Sequence, residues 1–122
     1  MKLRIKGNSI RIRLSITEVN ELVSGATLTD STSFGESRFG YTVQPVDSGE
    51  LLSASYERDV ITLSVPKYLL KDWSTNSIVG FEATMPVGDR SDLHLLLEKD
   101  FKCIDETVAD QSDFYDNPAK SC

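Results

Sequence analysis

Lys2-Leu3-Arg4-Ile5-Lys6-Gly7-Asn8-Ser9-Ile10-Arg11-Ile12-Arg13-Leu14 opens the chain, and its pattern decides the fold class. Aliphatic residues stand at positions 3, 5, 10, 12 and 14, and bases at 2, 4, 6, 11 and 13. A period of two is the signature of a strand with one buried face. Gly7-Asn8-Ser9 breaks the alternation with turn chemistry, which predicts a hairpin or a strongly bent strand. With both aliphatic rows turned to the core, all five bases share the opposite face.

Outward from this stretch, Ser15-Ile16-Thr17-Glu18 is a capping box that starts a helix. Ile16, Val19, Leu22 and Val23 supply its apolar stripe, and Gly25 stops it. Two strands are expected around the Gly35-Glu36-Ser37 turn, within a Thr-, Ser- and Gly-rich stretch ending at Asp47. Leu51–Glu57 and Val60–Val65 form a hairpin about Arg58-Asp59. Pro66 suits the first position of a short helix carrying Tyr68, Leu69, Leu70 and Trp73. Ile78–Met85 and Leu93–Ile104 make a last hairpin. After Asp105 the apolar pattern stops, so residues 1–105 are expected to form one domain and 106–122 an acidic tail. The predicted architecture is α+β: a bent antiparallel sheet or partial barrel of about seven or eight strands, with two short helices packed on it. Short links favour antiparallel neighbours, because parallel pairs need long crossovers.

At 122 residues the chain has the length of one domain. Its hydrophobic fraction of 39% and charged fraction of 26% are ordinary for a globular protein and suggest neither a disordered nor a membrane class. No apolar run approaches the roughly 18–20 residues that span a bilayer. Residues 1–14 lack the continuous apolar stretch of an export signal, and with only Cys103 and Cys122 the expected compartment is the cytoplasm, with reduced thiols. A net charge of −6 argues against nucleic acid as a partner. The charge is uneven: five of the thirteen bases fall in the first thirteen residues. Five acids (Asp105, Glu106, Asp110, Asp113, Asp116) fall in the last eighteen, against one base, Lys120.

Two sets of residues carry candidate chemistry. Lys2, Arg4, Arg11 and Arg13 on one face repel one another unless something anionic lies over them, which points to an anion-binding surface. The bland alternative is an edge hairpin using its bases against aggregation. On the last strand, His94, Glu98 and Asp100 alternate on one face and could ligate a metal ion or supply an acid–base pair, although a simply solvated face with charges pairing across strands is the preferred reading. His94 is the one histidine, and no phosphate loop, nucleophile elbow or Cys-x-x-Cys pair appears. No cofactor is expected. Cys103 reads as a small packed hydrophobe and Cys122 as exposed, with a disulfide between them left open. Asp110-x-x-Asp113-x-x-Asp116 lacks the spacing of a calcium loop, and Phe114-Tyr115 hints at a docking segment. The leading expectation is a non-enzymatic binding domain whose basic face engages an anionic small molecule or an acidic protein segment, with no nucleic acid and no membrane. The rival is a metal-dependent hydrolase of a phosphorylated substrate, using the last-strand carboxylates.

Three stretches taken together, Lys6-Gly7-Asn8-Ser9-Ile10-Arg11-Ile12-Arg13-Leu14, Glu98-Lys99-Asp100-Phe101, and Asp110-Gln111-Ser112-Asp113 leading to Asn117-Pro118, resemble a family of short bacterial proteins known as a domain of unknown function. The resemblance implies a bacterial, intracellular, single-domain protein and brings no activity or site residue with it. Charges alternating on a bent antiparallel sheet are also similar to the triphosphate tunnel hydrolases. Their two N-terminal glutamates are replaced by bases in Lys2-Leu3-Arg4-Ile5-Lys6, so that likeness supports an anion site at most.

Overall fold

The computed structural model describes residues 1–88 and 90–101. β1 (Lys2–Lys6) and β2 (Ser9–Leu14) form the expected hairpin, pairing Lys2 with Arg13, Leu3 with Ile12 and Ile5 with Ile10. Gly7 takes φ +55° at the first central position of the two-residue turn, a conformation that glycine adopts without a Cβ penalty. α1 (Ile16–Val23) follows, with both halves of the Ser15–Glu18 capping box in place. Val19 and Leu22 are buried, but Ile16 is 82% exposed, so the inward stripe is narrower than its sequence spacing suggests. Ile16 belongs to the first turn and projects beyond the covered stretch, toward a groove it shares with Leu14, Val19 and Phe101.

β3 (Leu28–Ser33) and β4 (Arg38–Val46) flank the Gly35-Glu36-Ser37 turn, and β5 (Ser53–Glu57) and β6 (Val60–Pro66) flank Arg58-Asp59. Then come α2 (Lys67–Leu70), β7 (Gly80–Pro86) and β8 (Asp92–Lys99). The second helix is one turn, shorter than the expected stretch to Trp73, and the last strand ends at Lys99 rather than Ile104. The expectations for Cys103, Cys122, Phe114-Tyr115 and the acidic tail lie outside the described residues.

The single bent sheet is corrected to two four-stranded sheets, ordered β1-β2-β8-β7 and β3-β4-β6-β5, with no closed barrel among the described residues. Each sheet is two antiparallel hairpins joined side by side, and the joining pairs, β2 with β8 and β4 with β6, are parallel. An all-antiparallel arrangement was the wrong inference from the short links. Those links set the pairing inside each hairpin but leave open how hairpins dock. β2 and β8 come from opposite ends of the chain, so most of the fold serves as their crossover. Asp47–Leu52 carries the chain past the end of β6 so that β5 pairs on its far side. Pro45 is tolerated in the central strand β4 because β3 has already stopped at the Leu28–Val43 pair, so no β3 acceptor waits for the missing N–H.

Between the sheets lies one core: Ile12, Leu14, Leu95 and Leu97 from one, Val43, Leu63 and Val65 from the other, with Leu22, Leu70 and Trp73. Trp73 is fully buried, donates Nε1–H to the Ile78 carbonyl at 2.8 Å and packs against Phe81 at 4.9 Å between ring centroids. Lys99, which breaks the apolar row of β8, places its ammonium over the Trp73 ring and bonds the Asn76 carbonyl at 2.8 Å, so its stem covers the core while the charge is satisfied. Both helices and the Trp73 segment close one end of the sandwich. The hairpin turns at 7–8, 34–37 and 58–59 gather at the other, together with Val87 and Ser91 between β7 and β8. Among the described residues no helix is long and apolar enough to cross a membrane.

Candidate functional site

The alternation of β1 and β2 places all five N-terminal bases on the outer face of their sheet, as the sequence pattern requires. Register with β8 then sets the neighbours. One row reads Lys2, Arg13, Glu98; the next Arg4, Arg11, Leu96; the third Lys6, Ser9, His94. β7 extends these rows with Gly80, Glu82 and Thr84. The turn is pinned to β8 by the Asn8 side chain, which donates to the Asp92 carbonyl, and by the His94 amide, which donates to the Asn8 carbonyl.

Glu98 is the hub of the first two rows. Its Oε1 lies 3.1 Å from Arg11 Nε and 3.8 Å from Arg13 Nε. Lys2 reaches Asp100 at 2.8 Å, and this hydrogen bond, helped by the charges of Lys2 and Arg13, holds the Asp100 carboxyl below its ordinary range. Gly80 is what lets Glu98 lie so close to β7. A Cβ at that position would run into the Leu97 carbonyl oxygen and sit 2.9 Å from Glu98 Cγ. Arg4 and Lys6 make no ion pair among the described residues, and with Arg11, Ser9 and Leu96 they line a concavity of about 220 Å³. Counting Glu82, Asp92, Glu98 and Asp100 against the five bases leaves this face with a surplus of one positive charge among the described residues.

Of the residues singled out for anion binding, Arg4 and Arg11 line the concavity, whereas Lys2 and Arg13 stand one row away, committed to Asp100 and Glu98. Lys6 and Ser9 complete the lining. Their signal was present in the sequence, since a two-residue turn at Gly7-Asn8 sets Ser9 directly across from Lys6. The three residues considered for a metal do not converge. Glu98 is shared by two guanidiniums and Asp100 is held by Lys2. His94 Nδ1 lies 3.1 Å from the Thr84 hydroxyl, four residues along the strand from Glu98, a separation of about 13 Å at 3.3 Å per residue. Among the described residues no three His, Cys, Asp or Glu side chains are grouped to hold an ion.

A second feature escaped the sequence entirely. At the end bearing the hairpin turns the two sheets part, leaving an apolar cleft of about 420 Å³ lined by Ile5, Ile10, Ile61 and Leu93 together with Phe39 and Tyr56. Ile5 and Tyr56 remain 53% and 60% exposed. Periodicity marked Ile5 as inward-facing, but nothing local to it reveals that the opposing sheet stops short of covering it.

The model of a family of unknown function, DUF7009, matches residues 1–119. The chain belongs to that family. The match to DUF7009 takes in both sheets and runs on past the last described residue, Phe101. No curated protein and no solved structure matches the chain.

Proposed function

We propose that this DUF7009 protein is a binding domain that engages an anionic ligand on the outer face of β1, β2 and β8. The observation that supports this most is the concavity formed by Arg4, Lys6, Arg11 and Ser9, where two of the three cations have no carboxylate partner among the described residues. Like charges held side by side on a sheet repel, and an anion seated between them relieves that cost. Ser9 adds a hydroxyl donor. Lys2 and Arg13, although paired, extend the positive field toward the concavity, and the surrounding protein, acidic overall, restricts that field to one face.

The test is a ¹H–¹⁵N titration of the full chain with inorganic phosphate, tripolyphosphate and citrate at low salt. The amides of Arg4, Lys6, Ser9 and Arg11 should shift, tripolyphosphate should bind more tightly than phosphate, and affinity should fall as salt is raised. An Arg4→Glu/Lys6→Glu variant should lose binding while keeping its fold, because both side chains are exposed. Absence of shifts on β1 and β2 with all three anions would sink the proposal.

A further inference from the structure

β1 is an edge strand: it pairs with β2 on one side and with nothing on the other among the described residues. An edge strand turns the N–H and C=O of every second residue outward, unpaired. The other three edges are each blunted. Asp30 Oδ1 accepts the Ser31 amide on β3, Met85 Sδ accepts the Ala54 amide on β5, and β7 ends in Pro86. β1 contains neither Pro nor Gly, and no amide of Lys2–Lys6 is bonded to a side chain among the described residues. Its outer positions are Lys2, Arg4 and Lys6, and its inner positions are Leu3 and Ile5. Ile5 is half exposed at the mouth of the apolar cleft.

We infer that β1 is the docking edge for an extended segment of another protein carrying acidic residues at alternate positions and apolar residues between them. This deepens the proposed function, on which it rests, by naming the class of anionic partner. A strand added beside β1 has the same period of two, so its acids fall on the outer face beside Arg4 and Lys6. Its apolar residues fall on the inner face beside Leu3 and Ile5, over the cleft. The bases that admit such a segment also exclude a second copy of this chain, because β1 against β1 sets Lys and Arg beside Lys and Arg. The chain's own acids at 110, 113 and 116 recur every third residue and would fall on alternating faces of a strand, so they do not match.

The test uses the full chain and three synthetic nonapeptides: one alternating Glu and Val, one of the same composition with the Glu residues in a block, and the alternating peptide N-methylated on its backbone amides. The alternating peptide should shift the Leu3 and Ile5 amides. Opposite-charge pairs across strands are each worth about 0.2–1 kcal/mol, and the main-chain bonds add to them. Block ordering or N-methylation should therefore weaken binding at least about tenfold. Equal affinity for the three peptides, or no binding of the alternating one, overturns strand addition. Phosphate, tripolyphosphate and citrate titrated into the same sample separate the two claims: failure of all three to bind overturns the anion site, whereas binding of an anion beside three indistinguishable peptides leaves that site standing and removes only the docking edge.

Discussion

Replacing Glu98 with Gln should lower stability and raise anion affinity together, a pairing of signs that follows from Glu98 being a counter-ion of the basic face. Gln keeps the shape and an acceptor oxygen, so the change is one of charge. At 3.1 Å the Arg11–Glu98 attraction amounts to about 1–5 kcal/mol for effective dielectrics of about 80 to 20, before desolvation is subtracted. Exposed pairs retain about 0.2–1 kcal/mol and charged hydrogen bonds about 1.5–3. The Arg11 and Glu98 side chains are 31% and 21% exposed, between those limits, and Arg13 shares the same oxygen at 3.8 Å, so a loss of about 1–1.5 kcal/mol is expected. That corresponds to a fall of about 5 °C in Tm for a domain of this size. The removed charge repels an anion seated about 7 Å away by about 0.8 kcal/mol per unit of ligand charge at a dielectric of about 60, which is about fourfold in affinity. Screening at 0.15 M salt reduces the gain to less than about twofold. Thermal melts and phosphate titrations of both proteins at 10 mM and 150 mM salt measure each number. An unchanged Tm, or an affinity that stays level or falls at low salt, refutes the assignment of Glu98.

Gly80→Ala should destabilise by about 1–3 kcal/mol, because the new methyl meets the β8 backbone rather than a movable side chain; urea melts would expose the error if the variant matched the parent. Arg58 and Asp59 hold φ +53° and +64° in the β5–β6 turn, where Asn-Gly is the favoured pair, so Arg58→Asn/Asp59→Gly should stabilise by about 1 kcal/mol in the same melts. Burial pushes the Glu18 carboxyl up, but hydrogen bonds from the Met1 ammonium and from Ser15 outweigh it and leave the pKa below its ordinary value of 4.5. A carboxyl lowered in the folded state stabilises fully above the unfolded pKa and loses that contribution as pH falls through the folded one. Unfolding free energies measured from pH 6 down to pH 2.5 should therefore decline less steeply below about 4.5 in Glu18→Gln than in the parent. Parallel curves would contradict the capping assignment.

Much of this was legible in residues close together in the chain. The two-residue period of Lys2–Leu14 set all five bases on one face, and the Ser15–Glu18 box started the helix where it stands. Asp47–Leu52 shows where local evidence stopped, since neither its length nor its composition says that it carries the chain past β6 to pair β5 on the far side. For the same reason the metal set of His94, Glu98 and Asp100 looked plausible along one strand. The guanidiniums that occupy Glu98 arrive from residues 85 and 87 positions earlier in the sequence.

What the sequence determined alone is the inside and outside of each element, because side-chain direction follows from backbone period and needs no partner. Hairpins and caps belong here too, being closed by hydrogen bonds between residues a few positions apart. The tertiary structure alone decided that there are two sheets, that hairpins join through the parallel pairs β2–β8 and β4–β6, and that Glu98 stands beside both Arg11 and Arg13. It also decided that, among the described residues, Arg4, Lys6 and Ile5 stay exposed. Those outcomes depend on which surfaces of distant segments bury each other best, a competition over the whole chain that no single stretch of it encodes.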